Sequence, residues 1–283
     1  MKKVFQRLVI FFVGLPVLLS LILFLPMHNH LILNIVLTVF SLLGAVELRN
    51  ILRHKTMLVS VPEAAILGAV YPAAWTIVVS FGVTLYIVPV AFVLGASWLL
   101  VSGIFTSGEK LDSFSGRLAA GFSVMIYPGL FMAWIIKMTV FSEAGMVILV
   151  FFLMVLLNDS AAWLAGMTLG KGNRGIIAAS PNKSITGFAG GLFASLLVGF
   201  TAVTLLPDAF TSKLMPPIPA GLLLGLLAGT AATLGDLCES AIKRSAGVKD
   251  SGALILGRGG ALDSMDSVAL AAPVFYIVYQ VLF

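Results

Sequence analysis

The chain has 283 residues, of which 60% are hydrophobic and 10% charged, with 17 Lys and Arg against 12 Asp and Glu. Its mean hydropathy of +1.10 departs far from the make-up of soluble domains and excludes a water-soluble globule, a disordered tail and a collagen-like fibre. A single cysteine, Cys238, excludes an internal disulfide framework and any multi-cysteine zinc site.

A helix needs about 20 apolar residues to cross the hydrocarbon core. Nine stretches meet that length: Leu8–Leu25, Leu31–Leu52, Met57–Val79, Val83–Gly103, Leu118–Val140, Ala144–Leu169, Thr186–Leu206, Pro216–Leu237 and Leu262–Phe283. The runs are continuous rather than alternating, so barrel strands are excluded. The expected fold is all-α, a polytopic integral-membrane helical bundle of about nine transmembrane helices. The first stretch follows Lys2, Lys3 and Arg7, as a signal peptide would. However, it is long, and Pro26-Met27-His28 stands where small residues would mark cleavage, so it reads as a retained span.

A cytoplasmic N-terminus places fifteen of the 17 basic residues on the inner side and leaves only Lys137 and Lys213 outside. The outer connections are short, whereas the inner loops after the fourth, sixth and eighth spans are longer and carry most of the glycine and charge that lies between spans. No internal repeat and no matching pair of broken helices is visible, as many transporters would show. The chain therefore reads as an N-terminal membrane region over 1–143 and a catalytic membrane region over 144–283. Its chemistry is expected on the cytoplasmic face of the second.

Acids inside a membrane are costly and point by default to function. Asp159 sits deep in the sixth stretch beside Asn158 and Ser160. A single ion pair or a helix-bound hydroxyl would explain it structurally, but the polar patch is larger than one such pair requires. Asp236 ends the eighth stretch. Gly221, Gly225 and Gly229 form a small-residue packing stripe, and Gly225, Gly229 and Ala232 lie on nearly the same face as Asp236, which turns it into the bundle. Asp263 and Asp266 are three apart and share a face. One acid there would serve as a helix cap. Two of them, opposite a third from another helix end, better suit a hard divalent cation such as Mg²⁺, which takes carboxylate and phosphate oxygens. No His or Cys set has zinc-ligand spacing.

Bases stand beside these acids: Lys243, Arg244 and Lys249, with Lys183 in the preceding inner loop. Ordinary positive-inside flanking would explain them in isolation. The run Ser180-Pro181-Asn182-Lys183-Ser184-Ile185-Thr186-Gly187 adds hydroxyls and backbone N–H groups at a helix start, which suits phosphate. Acids for a metal and bases for phosphate on one membrane face imply a phosphorylated, nucleotide-containing substrate.

The run Gly235-Asp236-Leu237-Cys238-Glu239-Ser240-Ala241-Ile242-Lys243-Arg244, then Val248-Lys249-Asp250-Ser251-Gly252, then Gly259-Gly260-Ala261-Leu262-Asp263, closely resembles the signature of phosphatidate cytidylyltransferases (CDP-diacylglycerol synthases). Asn158-Asp159-Ser160-Ala161-Ala162 and Ser180-Pro181-Asn182-Lys183-Ser184 look like that family's other conserved stretches. The likeness covers roughly residues 155–270, while the N-terminal 140 match only as hydrophobic spans.

The resemblance implies CTP and phosphatidic acid as substrates, CDP-diacylglycerol and pyrophosphate as products, Mg²⁺ dependence, a homodimer and a multi-pass place in the inner (cytoplasmic) membrane. No nucleic-acid partner is expected. It carries the metal roles over to Asp236 and Asp263, with Asp266 and Asp159 as further ligands or holders of a second cation. Asp236, Asp263, Lys243 and Lys249 are the expected catalytic residues, and Ser180, Lys183, Ser184, Arg244 and Arg258 the expected phosphate contacts. Two departures stand out: Arg258 replaces the family's usual His before Gly-Gly, and Ser264 replaces the usual Arg after Asp263. Arg258 suits phosphate but does not shuttle a proton. Asn182 and Ile185-Thr186 also depart from the Lys and the Trp-Glu usual there. Two alternatives stay open at this point: action on another lipid phosphate, and a cation-coupled secondary transporter.

Overall fold

The computed structural model describes residues 10–53, 59–105, 108–252 and 259–283. Among the described residues all regular structure is helical, with no strand beyond an isolated bridge such as Arg174 to Ser184. The principal helices are α1 (Leu15–Leu23, preceded by a π turn at Ile10–Gly14), α2 (Met27–Leu52), α3 (Val61–Phe81), α4 (Ile87–Val101), α5 (Phe114–Met138), α6 (Ala144–Thr168), α7 (Ile185–Leu205), α8 (Pro217–Ser245) and α9 (Leu262–Leu282). Seven of them are long and apolar enough to cross a membrane, while Phe12–Leu23 and α4 are shorter. The polytopic helical membrane bundle expected from the sequence is thus the fold.

Two compact units divide the chain: residues 1–137 with 245–265, and residues 138–244 with 266–283. The first turn of α9 belongs to the first unit and the rest of that helix to the second.

In the first unit, local chemistry explains where the helices depart from the apolar runs. Ser60 and Glu63 form a capping box, with Glu63 N–H on Ser60 Oγ at 3.3 Å and Ser60 N–H on Glu63 Oε2 at 3.0 Å. This fixes the start of α3 at Val61, although the apolar run begins earlier. Gly82, at φ 65°, ends α3 in the left-handed cap that glycine adopts freely. The turn after it delays α4 to Ile87, which shortens the expected fourth span. His28, Asn29 and His30 hold φ of 50°, 52° and 58°, a left-handed turn that disfavours L-residues by about 1–2 kcal/mol each. Asn29 Nδ2 on the Val79 carbonyl (2.5 Å) and Asn34 Nδ2 on the Asn29 carbonyl (2.8 Å) hold that turn. The right-handed part of α2 then starts at Leu31, where the second apolar run begins. Pro128 lies in a π turn of α5 at Met125–Leu130, and the Ser41 hydroxyl is shared between the carbonyls of Pro128 and Gly68. Lys137 lies over the Trp134 ring at 3.5 Å and near Trp75 at 5.1 Å, a cation–π setting that shelters its charge.

In the second unit, glycine lets helix backbones meet. A Cβ at Gly190 would come 2.6 Å from the Ala165 Cβ, and one at Gly191 2.9 Å from the Asn158 carbonyl, so α7 lies directly on α6. Gly199 and Gly221 leave no space for side chains between α7 and α8, and Gly225 sits on the Ser195 backbone. The stripe at Gly221, Gly225 and Gly229 is therefore a packing seam, as its spacing implied. Gly235 places α8 against the backbone of Asp266 and Ser267 in α9.

Candidate functional site

The sequence ends the eighth span near Leu237, but α8 runs on to Ser245. Nothing between Asp236 and Ser245 breaks a helix, and Gly247 at φ 74° supplies the stop. The helical extension puts Asp236, Glu239, Ser240 and Lys243 along one face. Lys243 forms an ion pair with Glu239 one turn back, with side-chain exposures of 13% and 1%. This pair is buried, so the expected catalytic Lys243 has its ammonium engaged by a carboxylate.

Asp236 forms an ion pair with Lys183, at side-chain exposures of 28% and 26%. The Lys183 backbone is held by a turn in which its N–H donates to the Ser180 carbonyl at 3.1 Å. Ser184 is the N-cap of α7, its Oγ accepting the Gly187 N–H at 3.0 Å. Ser180 and Ser184 thus build the turn and cap that present Lys183 towards α8. The partly open Lys183–Asp236 pair and the closed Lys243–Glu239 pair differ in what they offer a ligand. The former lines a cavity.

That cavity, about 500 Å³, lies within the second unit. Its polar wall comprises Asn158, Asp159, Arg174, Asn182, Lys183, Ser184, Thr233 and Asp236, and its apolar side is made by Ala162, Trp163, Met167 and Phe188. The volume falls in the range of small-molecule sites. Trp163 and Met167 are 67% and 49% exposed, and Leu164 beside them is 53% exposed, so acidic and basic groups meet an exposed apolar flank of α6. Asn158 is buried and spans three helices: it donates to Ser195 Oγ at 2.8 Å and to the Gly229 carbonyl at 3.3 Å, and accepts from Thr233 at 3.2 Å. Asp159 accepts the Ser267 hydroxyl at 3.1–3.2 Å, so the hydroxyl partner that a purely structural role requires is present. Ser160 faces outward and bonds back to the Leu156 carbonyl at 2.7 Å; it does not join the polar patch. Asp266 accepts the Ser267 N–H at 2.6 Å.

Asp263 stands in the first unit. Its carboxylate accepts the Gly260 N–H at 2.7 Å and the Ser251 N–H at 3.1 Å. Lys249 is exposed in the first unit and Arg244 exposed at the end of α8 in the second. Arg258 lies outside the described residues. Among the described residues no three His, Cys, Asp or Glu side chains gather as a metal cage.

Two residues escaped the sequence reading. Arg174, which donates to the Gly166 carbonyl at 2.8 Å, lines the cavity, although in the sequence it is one inner-loop charge among many. Its position in the turn-rich run Lys171-Gly172-Asn173-Arg174-Gly175 is the only signal it gives. Glu47 is the other. An acid in the middle of Gly44-Ala45-Val46-Glu47-Leu48 is the kind of intramembrane charge that points to function.

The sequence matches a model of the cytidylyltransferase family over residues 5–282. It is 32% identical over 266 residues to the phosphatidate cytidylyltransferase of Staphylococcus aureus (strain COL), covering 93% of this chain and 96% of that one. The phosphatidate cytidylyltransferase of Synechocystis sp. (strain ATCC 27184 / PCC 6803 / Kazusa) is 43% identical over 118 residues, 42% of this chain and 38% of its own. An Escherichia coli (strain K12) protein called uncharacterized protein YnbB is 37% identical over 146 residues, 51% of this chain and 46% of its own. The match thus spans less than half the length of the latter two relatives and nearly all of the first. A family match from one end of the chain to the other, on a bundle of membrane-crossing helices, makes this chain a multi-pass membrane member of the cytidylyltransferase family.

Proposed function

We propose that the chain is a phosphatidate cytidylyltransferase, moving CMP from CTP onto phosphatidic acid to give CDP-diacylglycerol and pyrophosphate at the cytoplasmic face of the inner membrane. The cavity in the second unit is the observation that carries this reading. Its acid–base wall suits a nucleotide's phosphates, and its apolar flank along α6 suits a substrate whose tails stay in the bilayer. The positive-inside distribution supports the cytoplasmic face, and the Staphylococcus aureus relative's name supports the lipid.

In this reading a phosphate oxygen of phosphatidate attacks the α-phosphorus of CTP, and the bond to the β-phosphate's bridging oxygen breaks to release pyrophosphate. The second pKa of a phosphomonoester lies near 6, so the nucleophile is already ionised and needs no strong base. The Arg at position 258, in place of a proton-carrying His, is compatible with such a reaction. Positioning and charge neutralisation remain as the protein's work. Lys183 and Arg174 take phosphate oxygens in the cavity, and each base near the surface adds about 1 kcal/mol of attraction to anionic lipid. Lys243, held by Glu239, contributes a fixed charge, and Arg244, Lys249 and Arg258 are further candidates for phosphate.

The donor set fits Mg²⁺ in kind: the acids lining the cavity are carboxylates, and Mg²⁺ asks for one or two of these together with substrate phosphates rather than an all-protein cage. Asp236 would hold it, with Asp159, Asp266 and, in the first unit, Asp263 as the remaining proposed ligands, and a second cation is compatible with that number of acids. When bound, the ion would neutralise charge on the triphosphate. A homodimer is proposed on the family resemblance.

The test uses purified full-length protein in detergent with CTP labelled at the α-phosphorus, Mg²⁺ and a panel of lipid phosphates. The expected result is labelled CDP-lipid and pyrophosphate, formed fastest with phosphatidate and lost when Mg²⁺ is chelated. Faster labelling of another lipid phosphate would overturn the lipid assignment, and no lipid labelling at all would overturn the activity.

A further inference from the structure

Glu47 lies near the C-terminal end of α2, 8% exposed, in an otherwise apolar stretch. A buried carboxylate is expensive unless its oxygens are satisfied, and these are satisfied by one short segment far along the chain. Oε1 accepts the Ala261 N–H at 3.0 Å; Oε2 accepts the Leu262 N–H at 2.8 Å and the Ser251 hydroxyl at 3.1 Å. The carboxylate therefore sits on the first amides of α9, where the helix dipole favours negative charge. Ser251 in turn reaches Asp263: its Oγ accepts the Asp263 N–H at 3.3 Å, and its N–H donates to the Asp263 carboxylate at 3.1 Å. Gly260 N–H holds the same carboxylate at 2.7 Å. Two glycines leave room for this closeness: a Cβ on Gly252 would stand 2.7 Å from Glu47 Oε1, and one on Gly260 would collide with Glu47 and Ser251, so either would displace the carboxylate.

We infer that Glu47 is a positioning residue: through Ser251 and the amides of Ala261 and Leu262 it fixes the turn that orients Asp263. Within the first unit, α2 thereby holds the turn that carries Asp263. The effect on turnover rests on Asp263 being a site carboxylate, as proposed above. Glu47→Gln is the sharp variant. It keeps the shape but offers one acceptor where two backbone N–H groups need one each, so in either orientation its amide faces an N–H.

The experiment measures two quantities in full-length protein reconstituted in nanodiscs: backbone hydrogen exchange over 259–264, and cytidylyl-transfer kinetics with phosphatidate and Mg²⁺. Glu47→Gln should speed exchange in that segment while leaving α6 and α7 unchanged. It should lower kcat about 10- to 100-fold, the usual effect of removing the group that orients a ligand side chain, with KM for the lipid unchanged. Ser251→Ala, which removes the hydroxyl but spares Glu47 and its two amides, should shift both readouts in the same direction by less. It also keeps the idea testable if Glu47→Gln does not fold. Wild-type exchange over 259–264 in both variants would overturn the inference, as would faster exchange with unchanged kcat. An active Asp263→Asn enzyme alongside a loosened turn would instead overturn the proposed role of Asp263, which separates the two failures.

Discussion

Asp236 and Lys183 pair across α8 and the turn before α7, and the half-open state of that pair sets it apart from the closed Glu239–Lys243 pair one turn further along α8. In the proposed reaction the Lys183 ammonium would pass from Asp236 to an incoming phosphate and leave the Asp236 oxygens to a cation. Lys183→Gln should therefore lower kcat/KM for CTP by about 10²-fold, in line with the loss of one aligned charge-stabilising group; steady-state kinetics at varied CTP checks it. Residue by residue, the sequence exposed the acids of the C-terminal half, which cluster beside bases in a recognisable signature, but passed over Glu47, which stands alone in its apolar run. It did not expose their partners. Nothing in the composition separates Lys183, which meets Asp236, from Lys249, which stays exposed in the other unit. Nor did spacing reveal that Ser267, 108 residues along the chain, supplies the hydroxyl for Asp159. Such pairings are set by which helices pack together, and single-chain periodicity carries no record of that.

Among the elements, α8 shows both what a helical pattern gives and where it stops. Its Gly221, Gly225 and Gly229 stripe was legible as a packing face, and α7 lies on it through Gly199 and Ser195. A Cβ at Gly225 would collide with the Ser195 backbone, so Gly225→Val must separate the two helices. Overpacking of this kind costs about 1–3 kcal/mol, and a lowered midpoint of thermal unfolding in detergent is the expected readout. The helix's last two turns were hidden, because hydropathy ends a span where charge begins while the backbone continues as a helix. Where caps decide the boundary the sequence does contain the signal: Ser60 and Glu63 start α3, and Gly82 ends it. The short α4 follows from that stop, and the left-handed turn at His28–His30 follows from tertiary hydrogen bonds that no local pattern announces.

At the scale of the whole molecule, 60% hydrophobic composition and continuous apolar runs were enough to establish a helical membrane bundle. They were not enough to show that residues 245–265 fold with the N-terminal helices. That grouping depends on Glu47 reaching Ser251, Ala261 and Leu262, more than 200 residues away. The orientation rests on charge, and cysteine labelling tests it. In a Cys238→Ser background, Lys171→Cys should react with a membrane-impermeant maleimide only in inside-out vesicles, and Lys213→Cys only in spheroplasts. Both lysines are exposed, so the reverse pattern would invert the topology and place the proposed site away from cytosolic CTP.

The most direct measurement of the central claim, that the cavity around Asp236 is where cytidylyl transfer occurs, is turnover of Asp236→Asn beside the unaltered chain. The assay uses α-labelled CTP, phosphatidate and Mg²⁺, with both proteins shown to be equally folded. A fall of about 10²–10³-fold or more in kcat is the expected result, the scale set by removing one charge-stabilising group from a reacting centre. Turnover within a few-fold of the unaltered chain would contradict the claim and move the reaction away from this cavity.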